Sequence, residues 1–321
     1  MVAEEVKNWN FKNSVSELKK EFGDKILVDQ PLMKLTTFGT GGNARLLMEV
    51  KSAEDLSMIV KVARRLGIPV FMLGGGSNVL IADSGYDGLI LKNSIMGMEC
   101  DGEEIRCGAG EELQKLVDFA ADTGLTGLEF ATGIWGTVGG AIFGNAGAYG
   151  SETGAVVKSA ELVDKQGNIR MVTANYLEFS YRSSKLKKSG EFVTRAVFAL
   201  KTGKRETIRQ KIAEIMAKRS VKFPIEKNSA GCFFKNIPDK NSKFGKLSTG
   251  KLLEDAGAKD MHFGGAQVFR NHANIIINDG TARSSDIKKL ADLLKSKVEN
   301  KFGIKLQEEV ILLGNFEEEN V

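Results

Sequence analysis

The sequence predicts a mixed α+β protein of more than one domain, and three observations carry that expectation. Ala53 to Leu66 has apolar residues at helical spacing, stops at Gly67, and leads into the apolar run Ile68 to Leu73 that ends in Gly74-Gly75-Gly76. Helix, buried strand and glycine turn in that order make an α/β unit. From Val156 to Leu200 the pattern changes to strands, and beyond the charged Lys201-Thr202-Gly203-Lys204 a basic helix opens a compact α+β remainder. A chain of 321 residues is long enough for two or three domains.

Each element has its own signal. Ser52 stands where the helix Ala53–Leu66 needs an N-cap. Glu104 to Cys107 is a short strand, and Glu111 to Asp122 is helical. Val156 to Leu200 contains a hairpin turn at Gln166-Gly167-Asn168 and the alternating EFVTRAVFAL. In the remainder, helices are expected at Thr207 to Arg219, near Lys251 to Ala256, and from Asp286 to Asn300 with Ser284 or Ser285 as cap. Strands are expected at Asn274 to Asn278 and Val310 to Leu313. Residues 1 to 12 and 317 to 321 are polar and expected to fray.

Composition removes several function classes. With 42% hydrophobic and 27% charged residues the chain is globular, and no apolar run nears the roughly 18 residues of a membrane span. The start, MVAEEVKNWN, carries acids where a signal peptide has basic and apolar regions, so the expected location is the cytoplasm. A net charge of +4 with scattered basic residues does not ask for nucleic acid. Three cysteines without CxxC spacing, and two histidines without HExxH, give no disulfide framework and no metal site. Cys100 and Cys107 are read as small buried hydrophobes.

Glycine is the unusual residue, with 36 against four prolines. Gly39 to Ala44 fits G-x-G-x-x-A but precedes the strand-like RLLMEV instead of a helix, so it is no dinucleotide turn. Gly245 to Leu252 has P-loop spacing but puts Leu252 where a hydroxyl must meet magnesium, which leaves a loop leading into a helix. Leu73 to Asp83 (LGGGSNVLIAD) is stronger, because three glycines follow a buried strand and Ser77 and Asn78 add side-chain donors. Such a turn makes a nest of N–H groups able to hold a diphosphate. Gly133 to Gly150 (GIWGTVGGAIFGNAGAYG) has glycine at seven of eighteen positions, with Thr137 and Asn145 interleaved. Each stretch alone could reflect close packing of one element on another; together they favour a large phosphate-bearing cofactor.

LGGGSN, GIWGTVGGAIFGNAGAYG, SYRSS at Ser180 to Ser184, AGCFFKN at Ala230 to Asn236 and LQEEV at Leu306 to Val310 resemble, in order, the signatures of the MurB family. These are the UDP-N-acetylenolpyruvoylglucosamine reductases, also named UDP-N-acetylmuramate dehydrogenases. The resemblance implies a two-part FAD-binding domain of the vanillyl-alcohol oxidase (PCMH) type at residues 1–203 and a C-terminal α+β domain for the UDP-sugar at 204–321. It implies non-covalent FAD, with which the absence of histidine before residue 204 agrees, and NADPH as co-substrate. Cys232 follows Arg182 by 50 residues, too few for the tyrosine-bearing loop of the longer subclass, which places the chain in the shorter one. The implied substrate is UDP-N-acetylglucosamine enolpyruvate, and a monomer is expected.

Carried over position by position, the resemblance makes Arg182 the cation that holds the enolate, Cys232 the proton donor and Glu309, with Glu308 as alternative, its assistant. Most members have serine where this chain has Cys232; a thiol with a pKa of about 8.5 is mostly protonated at neutral pH and suits the role. Gly74, Gly75, Gly76, Ser77, Asn78, Gly133, Gly136, Thr137, Gly139, Gly140, Asn145 and Ala148 become candidate FAD contacts. Tyr181, Lys222, Lys235, Asn236 and His272 become candidate substrate contacts, Lys222 for the diphosphate. Trp135 stands where the family usually has proline. The rival expectations are another flavin oxidoreductase of this fold and a non-catalytic nucleotide-sugar binding module.

Overall fold

A computed structural model describes residues 9–224, 228–240 and 245–316. The chain divides into two compact units. Unit 1 comprises Met1–Gln30, Arg45–Gly75 and Asp87–Ala217, and unit 2 comprises Pro31–Ala44, Gly76–Tyr86 and Lys218–Val321.

In chain order the first elements are α1 (Phe11–Phe22), β1 (Leu27–Pro31), β2 (Asn43–Val50), α2 (Ala53–Arg65), β3 (Val70–Leu73), β4 (Val79–Ile81), β5 (Tyr86–Asn93), β6 (Met98–Asp101) and β7 (Glu104–Gly108). The helices that follow are α3 (Leu113–Asp122), α4 (Val138–Gly144), α5 (Leu186–Ser189), α6 (Arg205–Lys222), α7 (Thr249–Asp255) and α8 (Ser284–Phe302).

Unit 1 holds two sheets with separate cores. In the first, ordered β1-β2-β5-β3, alternate residues Leu46, Met48 and Val50 of β2 turn inward and meet Leu56, Ile59, Val60 and Ala63 of α2. Ser52 caps α2 as expected, its hydroxyl accepting from the Asp55 N–H at 3.0 Å. Leu18 and Phe22 of α1 close this core. The second sheet runs Ile169–Thr173, Val157–Val163, Phe192–Ala199, β7, β6, antiparallel throughout. Ile105 and Cys107 point into its core while Arg106 points out, the period of two that a one-sided sheet requires. Leu113, Leu116, Val117 and Ala120 of α3 cover the apolar face at helical spacing.

Unit 2 is built on α8, whose Ile287, Leu290, Ala291, Leu294 and Val298 are fully buried. They pack with Leu253 of α7, Phe233 and Phe234, and with Phe38 and Leu80, which come from far earlier in the sequence. Leu80 arrives on β4, which pairs in parallel with Ile311–Leu313. Asp83 then accepts the N–H groups of Ser284 and Ser285 at 2.9 and 3.0 Å, tying this early segment to the start of α8.

Several expectations need correction. The cap of α8 is Arg283, not Ser284 or Ser285: Asp286 reaches back to accept the Arg283 N–H at 2.9 Å, and both serines lie inside the helix. Cys107 is buried but Cys100 is exposed on β6. Residues 11 and 12 do not fray, because Asn10 caps α1 and accepts from the Asn13 N–H at 3.1 Å. The expectation for residues 1–8 and 317–321 falls outside the described residues. The hinge expected at 201–204 is followed by α6, and the change of unit comes within that helix, between Ala217 and Lys218. The two weak nucleotide motifs are structural: Gly39–Ala44 runs into β2, and Ser248, within the second, caps α7 by accepting from the Lys251 N–H. Among the described residues no helix is long and apolar enough to cross a membrane.

Candidate active site

In unit 1 the two glycine stretches meet. Lys92 lies beside Leu73 in the parallel pairing of β5 with β3, and its ammonium donates to the Gly74 carbonyl. Burial holds the Lys92 pKa below the ordinary lysine value, against the pull of Glu49. A Cβ at Gly74 would lie 2.5 Å from Thr137 Oγ1, and one at Gly75 would lie 2.8 Å from Gly136 Cα. A side chain at Gly75 would collide with backbone, and one at Gly74 would have to displace the Thr137 hydroxyl. The Gly136 carbonyl accepts from the Leu113 N–H at 3.0 Å, and Gly139 donates to the Ala109 carbonyl at 2.8 Å. Thr137 caps α4, its hydroxyl accepting from the Gly140 N–H at 3.4 Å.

The close packing is therefore real, and it has a further consequence. The described peptides are all trans, so the N–H following each engaged carbonyl points the opposite way. Gly75 and Thr137 thus direct their amides away from the Lys92 and Leu113 partners of the preceding carbonyls, on two backbones in contact. Backbone amides turned away from the chain's own carbonyls can serve as anion donors. Gly133, in a left-handed conformation, donates to Gln114 Oε1 at 2.7 Å. Ala148 pairs with Ser151 in a two-residue ladder.

Arg182 sits in the same unit, at the tip of a two-residue turn closed by reciprocal Ser180 and Ser183 N–H to carbonyl bonds, both 3.0 Å. Its φ is 54°, a left-handed conformation rare for a side chain of this size. Its Nη1 donates to the Gly147 carbonyl at 3.0 Å, and the guanidinium carbon lies 5.4 Å from the centroid of the Tyr181 ring. Asn145 ends α4 in a left-handed conformation and is fully buried.

In unit 2, Cys232 to Asn236 forms an extended strip between two partners. Cys232 bridges Ile275 on one side, and Phe234 bridges Glu308 on the other. The Glu309 N–H donates to the Phe233 carbonyl at 2.8 Å, which sets Glu309 one register step from Cys232. Asn78 completes the arrangement by donating to the Glu309 carbonyl at 3.1 Å and accepting the Ile311 N–H at 3.0 Å. Its amide is thus used on the chain at Glu309. Gly76, at φ 64°, faces the Leu35 carbonyl, to which a Cβ would approach within 1.9 Å. Ser77 follows it directly.

Glu308 is engaged by Lys295 at 2.8 Å. Burial raises its pKa, but the Lys295 ammonium, a backbone N–H bond and the charge of Lys288 together hold the carboxyl below its ordinary value. Lys235 is fixed through its backbone, its N–H donating to Gln307 and its carbonyl accepting from Thr249 Oγ1, while Asn236 Oδ1 accepts the Thr249 N–H at 3.1 Å.

His272 stacks near Phe223, with ring centroids 5.8 Å apart, and its Nδ1 accepts the Asn274 N–H at 3.3 Å. That bond selects the neutral ring protonated at Nε2. Burial, and next the charge of Lys222, hold its pKa below the ordinary histidine value. Sequence reasoning missed Lys92, a lone cation in the apolar run GLILKN, and Asn274. The Asn274 side chain, almost wholly buried, exchanges hydrogen bonds with both backbone groups of Phe234 and so fixes the strip. Among the described residues no cluster of three metal-ligating side chains occurs.

Comparison with known proteins covers both units. A family profile described as "UDP-N-acetylenolpyruvoylglucosamine reductase, C-terminal domain" matches residues 223–313, and one described as "FAD binding domain" matches residues 44–173. The UDP-N-acetylenolpyruvoylglucosamine reductase of Caldicellulosiruptor bescii is 40% identical over 301 residues, 93% of this chain and 94% of its own length. The solved structure of the Thermus caldophilus UDP-N-acetylenolpyruvylglucosamine reductase (MurB) superposes with a TM-score of 0.75 at 32% identity, covering 90% of this chain and 98% of that one. The 6-hydroxy-D-nicotine oxidase of Arthrobacter nicotinovorans shares the fold alone, with a TM-score of 0.53 at 15% identity over 84% of this chain and 83% of its own. The expected architecture, a PCMH-type FAD-binding domain followed by a smaller α+β domain, is borne out. With likeness at this level along nearly its whole length, the chain belongs to the MurB family of UDP-N-acetylenolpyruvoylglucosamine reductases.

Proposed function

We propose that this protein is the FAD-containing reductase that uses NADPH to convert UDP-N-acetylglucosamine enolpyruvate to UDP-N-acetylmuramate, a peptidoglycan precursor. When bound, FAD supplies the hydride carrier between NADPH and the vinyl carbon of the enolpyruvyl ether. The protein supplies binding, charge and a proton. Residues 1–203 hold the cofactor and 204–321 the UDP-sugar. The amides of Gly75 and Thr137, which point away from the partners of the preceding carbonyls, face the cofactor diphosphate. Hydride addition puts negative charge on the adjacent carbon and its carboxylate. Arg182, always charged and able to grip a carboxylate through two hydrogen bonds, stabilises it.

The Cys232 thiol gives the proton that completes the addition, and Glu309 assists its movement. Lys222 meets the substrate diphosphate. Lys235, Asn236, Tyr181 and the neutral His272 line the sugar nucleotide. The enzyme acts in the cytoplasm as a monomer. The observation that carries this function is the 40% identity to a named reductase across 93% of the chain, which spans both matched domains. Incubation with NADPH and the enolpyruvyl UDP-sugar, followed by mass spectrometry, tests it. A product heavier than substrate by one molecule of hydrogen, formed with matching NADPH loss, is expected; unchanged substrate would remove the assignment.

A further inference from the structure

We propose that Asn145 is a positioning residue for Arg182 and not a ligand of the cofactor. The inference rests on the function proposed above for Arg182. Asn145 has no exposed surface, and both of its polar ends already have backbone partners. Its Nδ2 donates to the Ser180 carbonyl and its Oδ1 accepts the Gly154 N–H, each at 2.9 Å. Reversing the amide would set two donors and two acceptors against each other, so the orientation is fixed by the network.

The bond to Ser180 matters because Ser180 opens the turn that carries Arg182. Ser180 and Ser183 close that turn, and Arg182 is held left-handed within it. Lys187 Nζ ties the Arg182 carbonyl at 2.8 Å, and Ser184 Oγ ties the Phe143 carbonyl at 2.8 Å, so the far side of the turn is anchored as well. Asn145 anchors the near side. It is also the residue type its own backbone admits, since a helix end at φ 45° accepts Gly or Asn readily. Glycine would keep that conformation and lose both side-chain bonds. Aspartate would keep the acceptor for Gly154 and lose the donor to Ser180. Asn145 thereby links the end of the glycine-rich helix to the geometry of the guanidinium.

The test uses holoenzyme carrying Asn145→Asp or Asn145→Gly, with both half-reactions followed by flavin absorbance. Bleaching by NADPH is expected to stay within about twofold of wild type, while the return of colour with the enolpyruvyl UDP-sugar slows on the order of tenfold. In an Arg182→Lys background the Asn145→Asp change should add little, because both act through one group. Hydrogen exchange at the Ser180 and Ser183 amides should accelerate in Asn145→Asp, a readout that needs no substrate. Weakened FAD binding, or equal slowing of both half-reactions, would make Asn145 a cofactor residue and overturn the proposal. Unchanged exchange together with unchanged colour return would overturn it too. A wild-type protein whose colour never returns with the sugar would sink the functional reading, while the exchange rates still decide the positioning role. If Asn145→Asp does not fold, Asn145→Gly, suited to the left-handed backbone, carries the same comparisons.

Discussion

Cys232 opens a strip that its neighbours hold in place. Phe233 and Phe234 are 0% and 1% exposed and pin the strip, and Cys232 itself is half-buried. Cys232→Ser should retain turnover, and Cys232→Ala should lose about 10²–10⁴-fold in the sugar-dependent half-reaction, the range for a general acid. The other thiols differ in the opposite sense. Cys107 is buried and its pKa is pushed up to about 12, by burial first and the Glu111 carboxylate second, against Arg195. Mass-mapped alkylation of the native protein should label Cys100 and spare Cys107; equal labelling would contradict the core assignment. His272 supplies a pH dependence. Its folded pKa lies below the unfolded value of about 6.5, so the folded state binds the proton less well. Its contribution to stability is complete above that value and is lost as pH falls through the lower, folded pKa. His272→Gln should flatten that part of the stability profile measured by urea unfolding. Motif order put Arg182, Cys232 and Glu309 forward as catalytic candidates and Asn145 as a cofactor contact, but it showed none of their partners. Only the fold brings Ser180 and Gly154 to the two ends of the Asn145 amide.

At the scale of elements, α4 contradicts propensity. Three of its seven residues, Val138–Gly144, are glycine, each costing about 1 kcal/mol relative to alanine in a helix interior. Burial of Val138, Ala141 and Ile142, the Thr137 cap and the Asn145 terminus offset that cost. Sequence reading saw a glycine-rich stretch and no helix, because the compensation is tertiary. Gly75→Ala should destabilise the protein by about 1–3 kcal/mol, since the added methyl meets backbone at Gly136 that cannot step aside. Denaturant unfolding checks this, and a neutral effect would mean the two glycine stretches do not touch. α1 was missed for the opposite reason: Phe11, Val15, Leu18 and Phe22 follow the helical period behind an Asn10 cap, yet the polar start drew an expectation of fraying. The start of α8 was placed to within two residues, but the Asp83 carboxylate that accepts its first N–H groups could not be read, since Asp83 lies 201 positions from Ser284. Asp83→Ala should cost about 1–2 kcal/mol, the usual loss for a cap. Burial raises the Asp83 pKa, but the Ser285 hydroxyl and the two backbone N–H groups outweigh it and hold the carboxyl below its ordinary value. This stabilisation is present above pH of about 4 and disappears as pH falls through the folded pKa.

The whole chain is threaded in a way no local pattern reveals. Pro31–Ala44 and Gly76–Tyr86 belong with the C-terminal unit, so Phe38 and Leu80 are 1% and 0% exposed in a core whose other members lie beyond residue 229. Composition suggested a boundary near residue 203, whereas the change of unit falls after Ala217, and composition could not show that earlier segments join the later unit. A chain ended at residue 217 should therefore expose these side chains and aggregate, as static light scattering would reveal; a soluble, cooperatively folded fragment would contradict that dependence. The family, the fold class and the cofactor were readable from five motifs, because a motif is recognised by its residues and their order without knowledge of the distant partners that hold it. The parallel pairing of β4 with Ile311–Leu313 was not, because its partners are more than 200 residues apart. The most direct test of the assigned chemistry is an anaerobic visible spectrum of the purified protein, taken before NADPH, after NADPH, and after the enolpyruvyl UDP-sugar. Flavin bands that bleach with NADPH and return only with the sugar are expected. A colourless protein that takes up no FAD, or a bleached flavin indifferent to the sugar, would contradict the assignment.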